Sequence, residues 1–373
     1  METIEAKTLT PVDYASMPGW AADDHAEAFA AFRLSCRELV DTGRGFAGSP
    51  KFAGRWKDWL PVCKTALAAG AALSPAQARA FFEKHFIPFT VKLPANGTSL
   101  FTGYFEPEVE GSLKPGGPYV VPLYGKPADL VAFDAATEKR IGVRYGRRVN
   151  GQARPYWTRQ EIEQGALKGR GLELVWLKSW ADAFFIHVQG SGRVRLADGQ
   201  VMRVGFAAKS GHPYTPIGRV LVERGELARD QVSMQSILDW LARHPDQARA
   251  LMWQNKSFIF FRKVEFDRPD LGPPGAQQVQ LTPERSLAVD RSYYALGTPI
   301  WLDVAVPAGS QGALVPMRRL MVAQDTGTAI KGQVRGDVFW GAGPRAAQIA
   351  GLMQSPGRMT ILVPHAVAAR LAR

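Results

Sequence analysis

Three aspartates stand where short apolar runs end or begin. Asp290 follows "SLAV", Asp325 follows "MVAQ", and Asp337 precedes "VFWG". A carboxylate among apolar neighbours is poorly hydrated, so its charged form is disfavoured and its pKa rises. Each aspartate could instead be a turn residue whose side chain accepts a hydrogen bond from its own backbone. For Asp290 and Asp325 the pattern leaves both interpretations open.

Asp337 carries the stronger chemical signal. On a strand over residues 335–340, Arg335, Asp337 and Phe339 share one face because side chains alternate along a strand. A carboxyl group beside an aromatic ring in a cleft can keep its proton near neutral pH, as a general acid must. We therefore predict that Asp337 is a general acid.

Other catalytic patterns are missing from the sequence. The six histidines form no HExxH or other metal-ligand spacing. There is no Walker A loop and no GxSxG motif, and "GRGLEL" and "GSGRVR" are broken GxGxxG patterns. We expect neither a metal nor a cofactor. His187, between Ile186 and Val188, is interpreted as a satisfied, half-buried residue on a strand.

The "DTG" at Asp325 also suggests an aspartic protease. Such an enzyme needs two Asp-Thr-Gly loops whose aspartates meet as a catalytic dyad. A second copy begins at Asp41, but it follows the helical segment "SCRELV" and not an apolar strand. The two loops lie in regions that we expect to differ in architecture. This alternative is therefore disfavoured.

The formal net charge of +12 suggests an anionic partner. Residues 139–159, "KRIGVRYGRRVNGQARPYWTR", contain no acidic residue and interleave aromatic rings with arginines. That pattern suits a solvated loop, an anionic polysaccharide or a nucleic acid, and charge patterning does not choose among them.

Cys36 and Cys63 are the two cysteines of the chain. Their spacing excludes a CxxC redox pair and a zinc knuckle. Both lie in predicted helices of one N-terminal bundle, so a disulfide is geometrically allowed. In a reducing compartment they would be buried thiols.

These residues need elements that position them. The first hundred residues are predicted to be mostly helical, with a helix beginning at Ser74 as N-cap and Pro75. From about residue 100 the sequence pattern changes to short strands, and a helix over 233–254 is expected to be broken or kinked at Pro245. Residues 183–206 are predicted to form two strands joined through Ala197-Asp198-Gly199. Three prolines and two glycines mark 267–277 as a linker.

With these residues assembled, the chain resembles the MltA family of lytic murein transglycosylases, bacterial enzymes that cut the glycan strands of peptidoglycan. The resemblance covers nearly the whole length. It is carried by "MPGW", "FRLSC", "FTGYFEPEVEGS", "PYWTRQEIEQGAL", "DAFFIHVQGSGRVRLADG", "GHPYTPIGR" and the 3D signature "AVDRSYYALGTPIWL … AQDTGTAIKGQVRGD". The three aspartates of that signature are those singled out above.

The resemblance implies an α+β fold that is mainly β. A double-psi β-barrel (3D) domain with N-terminal helices would comprise residues 1–105 and 275–373. An inserted β-rich MltA domain would comprise 106–266, with 267–277 as linker and a groove between the domains.

The resemblance also implies the reaction. Asp337 would protonate the leaving oxygen at the β-1,4 bond between N-acetylmuramic acid and N-acetylglucosamine, then deprotonate the attacking O6, giving 1,6-anhydromuropeptides. Asp325 and Asp290 would complete the catalytic set by positioning and tuning Asp337. Side chains expected to grip the glycan are Thr102, Tyr104, Gln189, Ser191 and Lys331. Two alternatives stay open: a hydrolase with Glu106 as partner, and a non-catalytic glycan-binding protein on the same fold.

The resemblance also implies a location in the periplasm, in association with the outer membrane. We therefore expect peptidoglycan as the partner, no nucleic acid, a monomer, and a lipid anchor on the full-length precursor. No secretion signal opens this sequence, so we expect it to be a trimmed form, with Cys36 and Cys63 bonded in the periplasm.

Overall fold

A computed structural model describes residues 8–46, 49–70, 72–93, 97–265, 268, 270–308 and 313–371. Within the predicted linker, residues 267 and 269 lie outside the described residues. The chain divides into two compact units. The first unit comprises Met1–Phe105 and Arg268–Arg373, and the second unit comprises Glu106–Asp267.

Helices occur in both units. In chain order they are α1 (His25–Thr42), α2 (Trp56–Ala68), α3 (Pro75–His85), α4 (Ala135–Ile141), α5 (Arg159–Glu161), α6 (Trp180–Gln189), α7 (Ile217–Glu223), α8 (Met234–Arg243), α9 (Pro245–Met252), α10 (Pro344–Leu352) and α11 (His365–Leu371). A π-helical turn, Ile162–Ala166, continues α5.

Strands are more numerous than helices. In chain order they are β1 (Leu9–Pro11), β2 (Phe86–Val91), β3 (Leu100–Glu106), β4 (Glu108–Ser112), β5 (Val121–Tyr124), β6 (Val131–Ala132), β7 (Tyr145–Val149), β8 (Gln152–Pro155), β9 (Glu173–Leu177), β10 (Ser191–Arg195), β11 (Val201–Lys209), β12 (Ile259–Lys263), β13 (Ser286–Val289), β14 (Pro299–Ala308), β15 (Ala313–Asp325), β16 (Arg335–Ala342), β17 (Gln354–Ser355) and β18 (Gly357–Pro364).

Capping residues set the ends of the N-terminal helices. Ser74 caps α3 by accepting from the Gln77 N–H, and Pro75 is the first helical residue, as predicted. Gly43 closes α1 in the left-handed conformation, with φ of 66°. Phe29 and Phe32 on α1 are fully buried and contact the aromatic rings of α3. Helices α1 and α3 therefore share one apolar core.

A disulfide joins Cys36 on α1 to Cys63 on α2. Both side chains are fully buried in the helical core. The choice that the sequence left open is therefore resolved in favour of the bonded form in this structure, and the bond staples the first two helices together.

The first unit contains a nine-stranded mixed sheet with the order β1-β2-β18-β14-β15-β13-β16-β3-β17. Strand β13 lies between β15 and β16, parallel to β15 and antiparallel to β16. All four residues of β13 are buried. Parallel neighbours need a long connection, so the chain makes the β14–β15 hairpin before β15 returns beside β13.

The second unit contains a six-stranded sheet with the order β12-β11-β10-β4-β9-β5 and a three-stranded sheet with the order β6-β7-β8. The predicted hairpin at Asp198-Gly199 is confirmed, because β10 and β11 pair antiparallel on either side of it. The predicted break in the 233–254 helix is also confirmed, since α8 ends at Arg243 and α9 begins at Pro245.

One predicted strand is wrong. The segment around His187 is helix α6, and its caps explain why. The Ser179 hydroxyl accepts from the N–H groups of Ala181 and Asp182, and Gly190 ends the helix with φ of 79°. A continuous apolar run cannot distinguish a buried helix from a buried strand by periodicity.

His187 is consequently a helical residue, and it is buried and not half-buried. Neither ring nitrogen has a hydrogen-bond partner among the described residues, so the expected satisfied state is also wrong. The ring packs edge-on against Phe258 at 4.3 Å between centroids. Burial, followed by the charge of Arg159, holds the pKa of His187 well below its usual value. The imidazole is therefore a neutral core group.

The predicted fold class is confirmed at the level of mixed helices and sheets with sheets predominating. The double-psi closure of the first unit's strands stays a prediction. Across the described residues, no helix combines the length and apolar character that a membrane crossing requires.

Candidate active site

Asp337 lies on β16, an interior strand of the first unit's sheet between β13 and β3. Its backbone is paired with Ala288 of β13. The neighbouring residues Gly336 and Val338 are buried, whereas the Asp337 side chain remains partly exposed. The carboxyl group is thus surrounded by protein yet open on one side.

A three-residue chain of hydrogen bonds holds one oxygen of Asp337. The Thr102 hydroxyl donates to Asp337 Oδ1 at 2.6 Å. Arg335 Nη2 donates to the same hydroxyl oxygen at 2.8 Å. Because Arg335 has no acceptor to offer, the Thr102 proton points at Asp337. No hydrogen bond from the described residues reaches Asp337 Oδ2.

These contacts agree with the predicted alternation along β16. Arg335 and Asp337 both reach Thr102 on β3. Tyr104 follows Thr102 by two residues on β3. The ring of Phe339 packs against the ring of Tyr104, with 5.2 Å between the centroids. Arg335, Asp337 and Phe339 therefore face the same side of the sheet.

The surroundings of Asp337 favour its protonated form. Burial raises the pKa of this carboxyl to about 6. The positive charge of Arg335 and the hydrogen bond from Thr102 lower the pKa in part, and the charge of Asp325 raises it. A group with this pKa holds a proton over a useful fraction of molecules near neutral pH, as general acid catalysis requires.

Asp325 ends β15 on the other side of β13. Its Oδ2 accepts from the Tyr104 hydroxyl at 2.9 Å, and its Oδ1 accepts from the Ala276 N–H at 2.9 Å. Burial raises the pKa of Asp325 above its usual value, although these bonds oppose that effect. Burial and the charge of Asp325 also keep the Tyr104 hydroxyl protonated, because they raise its pKa well above the usual value.

A buried polar network fixes the end of β15. The side-chain amide of Gln324 donates to the Ala31 carbonyl and to the Ser35 hydroxyl, both at 2.9 Å. The Ser286 hydroxyl of β13 donates to the amide oxygen of the same residue. Gln324 is fully buried, so losing these partners would leave it unsatisfied. Helix α1 thereby positions Asp325 through the residue before it.

Asp290 follows β13 and is buried. Its Oδ1 accepts from the N–H and hydroxyl of Ser292, and its Oδ2 accepts from the Gly332 N–H at 2.9 Å. Burial opposes its charge, but these bonds and the charge of Lys331 lower the pKa of Asp290 below its usual value. It stays ionised and ties the strand end to the loop that leads into β16.

The remaining predicted residues lie in several places. Thr102 donates a hydrogen bond to Asp337, and Tyr104 donates one to Asp325. The contact of these two side chains with glycan stays a prediction. Lys331 is mostly exposed, with Nζ 4.0 Å from Asp290 Oδ1. Gln189 and Ser191 belong to the second unit, at the end of α6 and the start of β10.

Strand β3 can carry Thr102 and Tyr104 because the residue between them has no side chain. A Cβ on Gly103 would lie 2.6 Å from Trp340 Nε1 and 2.8 Å from the Ala350 Cα. Both distances are shorter than real contacts allow. The glycine therefore permits the close approach of β3 to β16 that the Thr102–Asp337 bond needs.

Glu106, the partner considered for a hydrolase, is fully buried in the second unit. Its Oε2 accepts from Arg193 Nε at 2.7 Å and lies 3.4 Å from Arg203 Nη2. Burial raises its pKa, and the two arginines oppose that effect. A carboxylate held this way has no access to a water nucleophile.

Arg335 is a side chain of the candidate site that the sequence did not single out. The alternation along β16 placed it on the face of Asp337 but assigned it no role. It is buried, and its Nη1 donates to the Leu100 carbonyl at 3.3 Å. Across the described residues, no three histidine, cysteine, aspartate or glutamate side chains gather as a metal site.

Two family models match the chain. The MltA specific insert domain matches residues 100–262. The 3D domain matches residues 285–363, which include all three aspartates of the site.

A named relative matches most of this chain. The chain is 35% identical over 268 residues to membrane-bound lytic murein transglycosylase A of Vibrio cholerae, which is 70% of this chain and 65% of that protein. The matched region therefore spans slightly less than two thirds of that relative.

Solved structures match more completely. A membrane-bound lytic murein transglycosylase from Agrobacterium tumefaciens superposes with a TM-score of 0.86 and 34% identity, covering 98% of this chain and 99% of that one. Escherichia coli MltA with bound chitohexaose superposes with a TM-score of 0.68 and 28% identity, covering 96% and 95%. With both domain models matched in order and a solved relative aligned almost end to end, this chain belongs to the MltA family.

Proposed function

We propose that this protein is a lytic murein transglycosylase that uses Asp337 as its single acid and base. The observation that carries the proposal is the state of that carboxyl group. It is partly exposed, its pKa is raised to about 6, and only Oδ1 is held by the protein. Relatives named as lytic murein transglycosylases support the reaction class.

The free oxygen decides where the proton sits. Thr102 already donates to Oδ1, so the acidic proton resides on Oδ2. From there it passes to the glycosidic oxygen as the bond from the anomeric carbon to that oxygen breaks. The C6 hydroxyl of the muramyl residue then bonds to the anomeric carbon, and Oδ2 takes the proton that O6 loses. The carboxyl group ends as it began, and no water is consumed.

A hydrolase would need a second carboxylate to activate water or attack the sugar. Asp325 is poorly suited to that task because both of its oxygens accept hydrogen bonds from the protein. Both oxygens of Asp290 are likewise engaged. Asp325 and Asp290 instead act as positioning residues: the first raises the pKa of Asp337, and the second secures the loop before β16.

The substrate is a glycan strand of peptidoglycan, cut at the β-1,4 bond after N-acetylmuramic acid. The chitohexaose bound to the Escherichia coli relative is a β-1,4 glycan of the same backbone type. Thr102, Tyr104 and Lys331 of the first unit contact the glycan in this proposal. Gln189 and Ser191 contribute from the second unit.

The first unit is the double-psi β-barrel domain with N-terminal helices, and the second is the inserted MltA domain. The protein acts as a monomer in the periplasm at the outer membrane, and a lipid anchor on the precursor holds it there. The names of the membrane-bound relatives and the Cys36–Cys63 disulfide support this location, because disulfides persist in oxidising compartments.

Incubation with purified murein sacculi tests the proposal, with products identified by mass. Products with anhydro ends, one water lighter than reducing ends, are expected. Reducing ends would replace the transglycosylase with a hydrolase. Intact glycan that nevertheless retains the protein would make it a glycan-binding module.

A further inference from the structure

A pocket of about 380 Å³ opens in the second unit, within the basic segment that the sequence singled out. Its volume is in the range of small-molecule sites. The proposed reaction makes no use of it. The lining residues are Arg147, Val149, Arg154, Pro155, Tyr156, Trp157, Thr158, Glu161 and His212.

Two arginines face each other across the β7–β8 hairpin. Arg147 and Arg154 are directly paired in the antiparallel register. Like charges in that position destabilise a hairpin. Arg148, the next residue, pairs with Ala153 and therefore points to the opposite face. An anion bound between Arg147 and Arg154 would relieve their repulsion.

Arg147 is preorganised for such a ligand. Its guanidinium carbon lies 3.4 Å from the centroid of the Trp157 ring, so the planar group is stacked on the indole. Its Nε is buried and has no hydrogen-bond partner among the described residues. A buried donor without a partner costs stability unless a ligand supplies the acceptor.

The one acidic side chain of the lining is held by the protein at one of its oxygens. Glu161 Oε2 accepts from the N–H and the hydroxyl of Thr158, both at 2.7 Å, in a capping box for α5. His212 Nε2 donates to the Tyr156 carbonyl at 2.8 Å and is likewise held in the wall. Two arginines against one engaged carboxylate leave the pocket positive.

Shape and chemistry favour a carboxylate on a short peptide. The planar fork of an arginine matches a carboxylate with two parallel hydrogen bonds. Pro155, Tyr156 and Trp157 give the pocket an apolar wall for aliphatic groups. A membrane surface is a poorer fit, because Tyr156 is buried and Trp157 is only partly exposed, so neither ring protrudes.

We propose that this pocket binds a free carboxylate of the murein stem peptide and so makes the protein selective for peptide-bearing strands. The identity of the ligand rests on the proposed function, because glycan strands of murein carry short peptides with free carboxylates. The pocket itself rests on the geometry of β7, β8 and the loop that carries Trp157.

Calorimetric titration of the full chain with a synthetic stem peptide tests the site directly. The parent should bind this peptide but not the same peptide with its carboxylates converted to amides. Arg147→Gln and Arg154→Gln should each weaken binding roughly tenfold or more, because each removes a charged hydrogen-bond donor. Arg148→Gln, on the other face of β7, is the matched control and should bind like the parent.

Arg154 is exposed, so its variant keeps the test decisive if Arg147→Gln fails to fold. Equal affinity for the acid and amide peptides would overturn the proposal. So would parent-like binding by Arg154→Gln. Binding of phosphatidylglycerol vesicles through Arg154, without binding of the peptide, would overturn it in favour of a membrane contact.

Kinetics separate this inference from the proposed function. On peptide-bearing sacculi, Arg154→Gln should raise KM roughly tenfold and leave kcat unchanged. On glycan strands stripped of peptide by an amidase it should match the parent. If the parent produces no anhydro ends from any murein, the proposed function fails, and the peptide titration still decides what the pocket binds.

Discussion

Asp325 and Asp337 are both paired with Ala288, from opposite sides of β13. Asp325 meets it in the parallel ladder with β15, and Asp337 meets it in the antiparallel ladder with β16. Two strand spacings put their backbones about 10 Å apart. Strand β13 thus brings two carboxyl groups to one level of the sheet, where the charge of Asp325 raises the pKa of Asp337.

Replacing Asp337 with asparagine should abolish turnover. The amide keeps an oxygen to accept from Thr102 but cannot give a proton to the leaving oxygen or take one from O6. We expect release of anhydro products to fall by at least about 10³-fold, with binding of chitohexaose retained. Asp239→Asn is the control, because the Asp239 carboxylate, on the exposed face of α8, accepts a hydrogen bond from Gln235 and lies outside the candidate site. Substantial turnover by pure Asp337→Asn would show that Asp337 is not the catalytic acid and base.

The same substitution should stabilise the protein at neutral pH. The pKa of Asp337 rises from 3.8 to about 6 on folding, so the folded state binds this proton more tightly than the unfolded state. Above pH 6 the folded protein therefore carries the cost of ionising a carboxyl group that folding has partly removed from water. Removing it should raise the free energy of unfolding at pH 7 by about 3 kcal/mol, and the gain should shrink as the pH falls below 6 and vanish by about pH 3.

Asp290→Asn should change the free energy of unfolding in the opposite direction. The pKa of Asp290 is lowered on folding, so its charge stabilises the fold above the ordinary pKa and this contribution is lost as pH falls. The variant should be less stable than the parent at pH 7, and the two should converge in acid. Denaturant unfolding at several pH values measures the free energy of unfolding of Asp337→Asn and of Asp290→Asn. Equal pH dependence of the two variants would contradict the assigned environments.

Thr102→Val should separate orientation from acidity at Asp337. In the parent, kcat/KM should fall as pH rises above about 6, where the acid loses its proton. The hydrogen bond from Thr102 lowers the pKa of Asp337, so its loss should move this alkaline limb to higher pH. The rate at the optimum should drop about tenfold, since one oxygen is no longer held.

Thr90→Val is the matched control for that experiment. Thr90 makes the same kind of hydroxyl contact, with Thr360 at 3.2 Å, on strand β2. It should lose little activity and keep the pH profile of the parent. A pH profile of Thr102→Val that is merely scaled down, with no shift, would reduce Thr102 to a structural role.

The disulfide should contribute stability through the unfolded chain. Cys36 and Cys63 are separated by 27 residues, and closing a loop of that length is expected to stabilise the fold by about 3–4 kcal/mol. The double variant Cys36→Ala/Cys63→Ala should show a lower unfolding midpoint by calorimetry. Reductant should lower the midpoint of the parent but not of the variant. Equal midpoints for parent and variant without reductant would show that the bond contributes nothing.

Several features of the site follow from the local sequence. Turn-forming aspartates at the ends of apolar runs, and the two-residue alternation that puts Arg335 and Asp337 on one face, are properties of a few adjacent residues. For the same reason the cap of α3 at Ser74 and the Asp198-Gly199 hairpin were predictable. The segment around His187 was not, because its apolar run carries no period that separates helix from strand.

What the sequence by itself determined is the set of reactive side chains and the strands that carry them. Only the tertiary structure decided their partners. Thr102 and Asp337 are 235 residues apart, and Tyr104 and Asp325 are 221 apart, so no local pattern links them. Their hydrogen bonds exist because β3 lies beside β16 and β13 separates β15 from β16. Strand order across a sheet depends on how the whole chain packs, and that packing sets the pKa of Asp337.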